Sequence, residues 1–189
     1  MVTRPAFPPL IPVPQCIGSH NIVFMVLDSL RFDVAQNAMA QGLTPFLQTL
    51  IPLGQWQKRQ THGTFTYPAH QAFFMGYLPV PIPKPANYQR LFACQFHGSE
   101  TSGTNTWITP ASNIVHGLQA VGYHTICIGG VGFFDGSSAI RQVLPNFFME
   151  SHWSPEMGVT GKDSTRLQVA LAIQRLQTIP EQQKVFLYL

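Results

Sequence analysis

The sequence predicts an α/β protein of three layers, α/β/α, built around a mostly parallel sheet. Three observations predict it. Short apolar, β-branched runs of strand length alternate with segments of helical periodicity. Those runs are apolar throughout rather than at every second position, which is the pattern of strands buried on both faces. Apolar residues make up 45% of the 189 residues and charged residues only 10%, against roughly 25% charged in an average soluble domain.

Residues 1–20 read as an extended, proline-rich leader, with Pro5, Pro8, Pro9, Pro12 and Pro14 breaking any helical run. Residues 21–189 read as one domain, a length that can bury its own core. The run Asn-Ile-Val-Phe-Met-Val-Leu at 21–27 has the length of a buried parallel strand and stops at Asp28. A short helix is expected over 33–41, ended by Gly42. Thr44 and Pro45 then supply an N-cap and a proline at the first helical position. Phe46, Leu47, Leu50 and Ile51 give that helix an apolar face.

Residues 55–61 alternate weakly and predict a second strand. A turn over 63–68 leads to a helix beginning near Ala69. The stretch 80–109, with Pro81, Pro83 and Pro85, reads as a long loop. A helix over 110–121 is expected, capped by Thr109 and closed by Gly122, with Ile114, Val115, Leu118 and Val121 inward. A strand follows over 123–128, then a loop opened by Gly129 and Gly130. Residues 164–177 form an amphipathic helix with Leu167, Ala170, Leu171, Ile173 and Leu176 on one face. The run Lys-Val-Phe-Leu-Tyr-Leu at 184–189 is another buried strand, expected to present an open edge.

Composition also excludes. A net charge of +3 with no Lys/Arg run gives no nucleic-acid footprint. No apolar run approaches the roughly 20 residues of a membrane span. Cys16, Cys94 and Cys127 form no Cys-x-x-Cys pair, which removes zinc ribbons and redox motifs. A reducing, cytoplasmic setting is the expectation.

Two segments carry chemistry. Asp28 ends the first strand, and ligands of open parallel sheets sit beyond the carboxyl ends of their strands. It reads either as an oxygen ligand for a cation or as the cap of the next turn. The second segment is Thr-Tyr-Pro-Ala-His at 66–70. Pro68 suits the first turn of a helix, so Thr66 falls just before a helix N-terminus, where backbone N–H groups favour an anion. A threonine hydroxyl is a weak nucleophile until a base or a cation activates it.

In order and spacing these segments resemble the alkaline phosphatase/sulfatase superfamily. The residues are Val-Leu-Asp-Ser-Leu-Arg-Phe-Asp at 26–33, Thr-Tyr-Pro-Ala-His at 66–70 with Met-Gly-Tyr-Leu-Pro at 75–79, and Leu-Gln-Ala-Val-Gly-Tyr-His-Thr at 118–125. The resemblance implies an alkaline-phosphatase-like fold, of which this chain is the N-terminal portion, truncated at the C-terminus. It implies a divalent cation, whether zinc, manganese, magnesium or calcium, with Asp28 as first ligand. Thr66 would be both ligand and nucleophile. Ser29 stands where many sulfatases have a second Asp, and His70 where they have Arg. Position 66 is not Cys. These departures favour phosphate esters, with sulfate and phosphonate esters as neighbours, and a small anionic ester as substrate. The family's further ligands lie on later segments, so a chain ending at Leu189 is expected to be nearly inactive.

His70 is a candidate substrate contact. His62 reads as a structural histidine or a substrate contact, and Asp135 as a turn former or a site residue. His116 and His124 read as structural, and Phe147, Phe148, Met149 and Trp153 as packing. The rival reading is a non-catalytic α/β module that holds an anion or a partner.

Overall fold

The computed structural model describes residues 13–51, 55–61, 63, 65–76 and 113–189. The chain divides into two compact units, Met1–Ile17 with Leu27–Gln60, and Gly18–Val26 with Thr61–Leu189. The expected long loop at 80–109, the start of the helix expected from 110, and most of the leader lie outside the described residues.

In the first unit, α1 (Val13–Cys16) is a single turn within the segment expected to be extended. The next helix, α2 (Phe32–Ala40), buries Ala35 and Met39, one turn apart on the same face. Thr44 and Pro45 do begin a helix, α3 (Pro45–Leu50), although Thr44 makes no side-chain cap. Its apolar face is not inward: Phe46 is 73% and Leu50 63% exposed. The strand expected over 55–61 is absent, and that segment is irregular. Gln57, Lys58, Arg59 and Gln60 are all exposed and give a sheet nothing to bury. Trp56 is held instead by its backbone N–H, which donates to Gln36 Oε1 at 3.1 Å.

The second unit is a parallel α/β sheet. Its strands are β1 (Ile22–Phe24), β2 (His124–Ile128), β3 (Glu150–His152) and β4 (Val185–Tyr188). All pairings are parallel, in the order β1-β4-β2-β3. β4 is therefore interior, paired on both sides, where the sequence suggested an open edge. All four of its residues are buried, as its uninterrupted apolar composition requires.

Strand alternation sends successive side chains to opposite faces. Cys127, Phe186 and Tyr188 face a core with Tyr67 and Phe74 of α4 (Thr66–Met75) and Val115 and Leu118 of α5 (Ile114–Ala120). Ile126, Ile128, Val185 and Leu187 face a second core with Met157 and with Leu167, Leu171 and Ala172 of α7 (Ser164–Thr178). Helices thus cover both faces. Between β2 and β3 lies α6 (Ala139–Val143).

Asn113, rather than the expected Thr109, caps α5, its Oδ1 accepting from the His116 N–H at 2.9 Å. Gly122, at φ +89°, closes α5 in the left-handed region. Ile114 and Val121 are 46% and 55% exposed, so only Val115 and Leu118 of the expected inward set are buried. On α7 the only buried residue is Ala172, and Ile173 is 52% exposed. β3 was not expected at all: Glu-Ser-His is polar, and Glu150 and His152 enter a charge cluster instead of a core.

Candidate functional site

The site grows from the start of α4. The sequence placed the helix near Ala69, but it starts at Thr66, with Phe65 in extended conformation as N-cap. Pro68 explains the earlier start. In the first turn its missing N–H costs no intrahelical bond, and its fixed φ is already helical. Thr66 is thus the first helical residue and is half-buried. Gly63 makes this entry possible, because a Cβ there would lie 2.5 Å from Ala69 N and 2.9 Å from Pro68 C.

Two contacts fix where this helix start sits on the sheet. His70 Nδ1 is 2.7 Å from the Thr66 carbonyl oxygen, and its Nε2 is 2.5 Å from the hydroxyl of Tyr188, the last residue of β4. Phe133, past the carboxyl end of β2, packs on Phe65 and Tyr67, with ring centroids 6.2 and 5.5 Å apart. The hydroxyl-bearing turn therefore lies beyond the carboxyl ends of β2 and β4, the edge at which open parallel sheets bind ligands. The helix dipole adds a positive end there.

His70 is 3% exposed, and both ring nitrogens are engaged within the chain. It reaches a substrate only by giving up one of those bonds. Its neighbour Gln71 is 1% exposed, and among the described residues neither polar atom of its side chain has a hydrogen-bond partner.

Asp135 lies in the loop that starts at Gly129 and Gly130. Its Oδ1 accepts the Ser137 N–H at 2.8 Å, and its Oδ2 meets Arg141 NH1 at 2.5 Å. Hydrogen bonds from Ser137 and then Arg141 hold its carboxyl below the usual range. Asp135 thus shapes its own turn while fixing the guanidinium of Arg141, whose side chain is 45% exposed. The close approach of Gly129 to Phe134, where an added Cβ would lie 2.2 Å from the Phe134 Cβ, folds this loop back over the strand end.

Asp28 belongs to the other compact unit. It is exposed, in a turn closed by the Leu30 N–H donating to the Leu27 carbonyl at 3.3 Å. Ser29 follows at φ 62°, and its hydroxyl donates to Asp28 Oδ1 at 3.5 Å. His62 lies outside the described residues. Asp28 and Thr66 together offer two oxygen donors, whereas a divalent cation takes four or more. Among the described residues no group of three His, Cys, Asp or Glu side chains could hold a metal ion. The donors present do not by themselves fit a resident cation.

Arg141, Gln71 and Tyr188 were missed from the sequence. Arg141 is one basic residue in a short helix, Gln71 one amide in an apolar turn, and Tyr188 one ring in a strand. None carries a local signal.

Among the described residues no helix is long and apolar enough to cross a membrane. Burial pushes the Cys127 thiol well up. Comparison of the chain with protein-family models, with curated proteins and with solved structures yields no match.

Proposed function

We propose that this chain is the nucleophile-bearing part of a metal-dependent hydrolase of phosphate esters, of the alkaline phosphatase/sulfatase superfamily, with Thr66 as nucleophile. The observation that carries the reading is the position of Thr66: first residue of α4, beside the carboxyl end of β4. A phosphoryl group set there meets the positive end of the helix and first-turn backbone N–H groups. Ala69 N–H already donates to the Phe65 carbonyl at 3.3 Å, and Pro68 has no N–H.

In this reading Thr66 Oγ forms a bond to phosphorus as the ester oxygen departs with a proton. Water then attacks the phospho-threonine and releases phosphate and the original hydroxyl. The cation donors that Asp28 and Thr66 lack would come from outside the described residues.

The test uses bis(p-nitrophenyl) phosphate, p-nitrophenyl phosphate and p-nitrophenyl sulfate with added zinc, manganese, magnesium or calcium. Turnover of a phosphate ester that disappears in Thr66→Ala, with an unchanged circular-dichroism spectrum, supports the reading. Undiminished turnover in Thr66→Ala sinks it.

The two-donor set favours one rival, a module that holds an anion without catalysis. That rival predicts binding of inorganic phosphate by the native chain with no turnover of any probe under any of the four cations.

A further inference from the structure

The helix that carries Thr66 is tied to the end of β4 through one buried ring. Around His70 stand Phe73, Phe74, Phe134 and Tyr188, with ring centroids 5.4, 6.1, 5.6 and 5.6 Å away. The two ring nitrogens do different jobs, and their partners dictate which. A carbonyl oxygen only accepts, so the Nδ1 that lies 2.7 Å from the Thr66 carbonyl carries a hydrogen. The neutral ring then has only a lone pair at Nε2, and the Tyr188 hydroxyl, 2.5 Å away, donates to it. The result is a directional chain. Tyr188 O–H donates to Nε2, and Nδ1–H donates to the Thr66 carbonyl.

We infer that His70, fixed in its Nδ1–H tautomer by Tyr188, is a positioning residue that holds the backbone of Thr66, and with it the hydroxyl, at the head of α4. The inference rests on the reading of Thr66 as nucleophile.

The physical need is plain. The first residue of a helix lies in a turn whose backbone is only partly bonded within the helix, and helix ends fray. In-line attack tolerates little displacement: about 1 Å of misplacement can cost about a hundredfold in rate. A tie from the Thr66 carbonyl to an interior strand removes that freedom. Tyr188 is a good anchor because β4 is paired on both sides and Tyr188 itself is 4% exposed. Its ring also stacks on Phe134, centroids 5.2 Å apart, so the hydroxyl is aimed by packing. Neither His70 nor Tyr188 needs to touch the substrate to do this.

The test uses the full chain and two readouts. Long-range proton–nitrogen spectra of histidine-labelled protein at neutral pH report which nitrogen of His70 is protonated. Kinetics with bis(p-nitrophenyl) phosphate and added manganese report kcat and KM for the native chain and for Tyr188→Phe, His70→Asn and His70→Leu. Asparagine keeps an N–H donor near the place of Nδ1, and leucine removes it. The expected result is the Nδ1–H tautomer in the native chain, with kcat lowered about tenfold in Tyr188→Phe at unchanged KM. His70→Asn should keep most of its kcat and His70→Leu should lose it. Hydrogen exchange at the start of α4 should rise in the leucine variant only.

An Nε2–H tautomer in an active native chain overturns the inference and leaves the nucleophile reading standing. Equal losses in the asparagine and leucine variants overturn it as well, because a ring that only fills space would give them. In a native chain that keeps the tautomer but turns over no probe, hydrogen exchange decides: no rise at the start of α4 in His70→Leu overturns the inference.

Discussion

Arg175 of α7 donates two hydrogen bonds, each 2.9 Å, to the two carboxylate oxygens of Glu150 on β3. His124 Nε2 meets the same carboxylate at 2.5 Å and His152 Nε2 at 3.1 Å. One side chain thereby joins the edge strand β3, its neighbour β2 and the helix above them. The hydrogen bonds of Arg175, then those of the two histidines, hold the Glu150 carboxyl down at about 2, from an ordinary 4.5. A depressed acid stabilises the fold fully above its unfolded value, and that stability is lost as pH falls through the folded value. The free energy of urea unfolding should therefore differ between native protein and Glu150→Gln by about 1–3 kcal/mol near neutrality. The gap should narrow between pH 4.5 and pH 2. A gap that stays constant down to the lower limit would refute the assignment.

Gly63 and Gly117 should answer oppositely to alanine. A Cβ at Gly63 meets the backbone of Pro68 and Ala69, which cannot move without shifting the start of α4. Gly63→Ala should cost about 1–3 kcal/mol, with Tm falling about 2–4 °C for each kcal/mol at this chain size. At Gly117, inside α5, nothing lies within 4 Å of the added atom. Gly117→Ala should stabilise by about 0.5–1 kcal/mol, since alanine restricts the unfolded chain and favours helix. Thermal melts decide it, and equal shifts of the same sign would contradict both statements.

Phe73 and Phe74 are adjacent yet unequal. Phe74 is 1% exposed, its ring among Phe147, Phe148 and Tyr188 at centroid distances of 6.1, 5.6 and 5.4 Å. Phe74→Ala should cost about 3–5 kcal/mol. Phe73 is 36% exposed, and its truncation should cost about 1 kcal/mol or less. Denaturant midpoints measure both, and comparable losses would mean that the helix presents a different face to the core.

On α7, Ala172 is 5% exposed while Ile173 is 52% exposed. Ala172→Glu buries a charge with no partner and should cost more than about 3 kcal/mol. Ile173→Glu should stay within about 0.5 kcal/mol. If the isoleucine variant proves the more damaging in urea, the inward face of α7 has been assigned wrongly.

These last two positions show where the sequence was legible and where it was not. An uninterrupted run such as Val185-Phe-Leu-Tyr188 announces a strand buried on both faces, and the structure has it there. Apolar spacing on α7 announced a helix but misjudged which way it turns. Ser164 and Gln168 reach inward to the Met157 carbonyl at 2.6 and 3.0 Å. Polar residues with buried partners rotate a helix in a way that counting apolar positions misses. β3 was hidden for the same reason, because Glu150 satisfies charges rather than filling a core. At the site, Thr66 and Pro68 were readable from local rules of helix initiation. The link from His70 to Tyr188 spans 118 positions, and no local pattern encodes it.

The strand order β1-β4-β2-β3 has a consequence for the timing of synthesis. β1 does not pair with β2; the two become parts of one sheet only when β4 slides between them, and the Val185 N–H that donates to Asn21 Oδ1 closes a span of 164 positions. On the ribosome, β1 and the Thr66 helix must wait, exposed, while more than a hundred further residues are made. Loop closure over such distances is slow. A nascent chain released before Val185 would have neither ladder of β4 and no anchor for His70, so the hydroxyl at the head of α4 takes its final place only after β4 has been made.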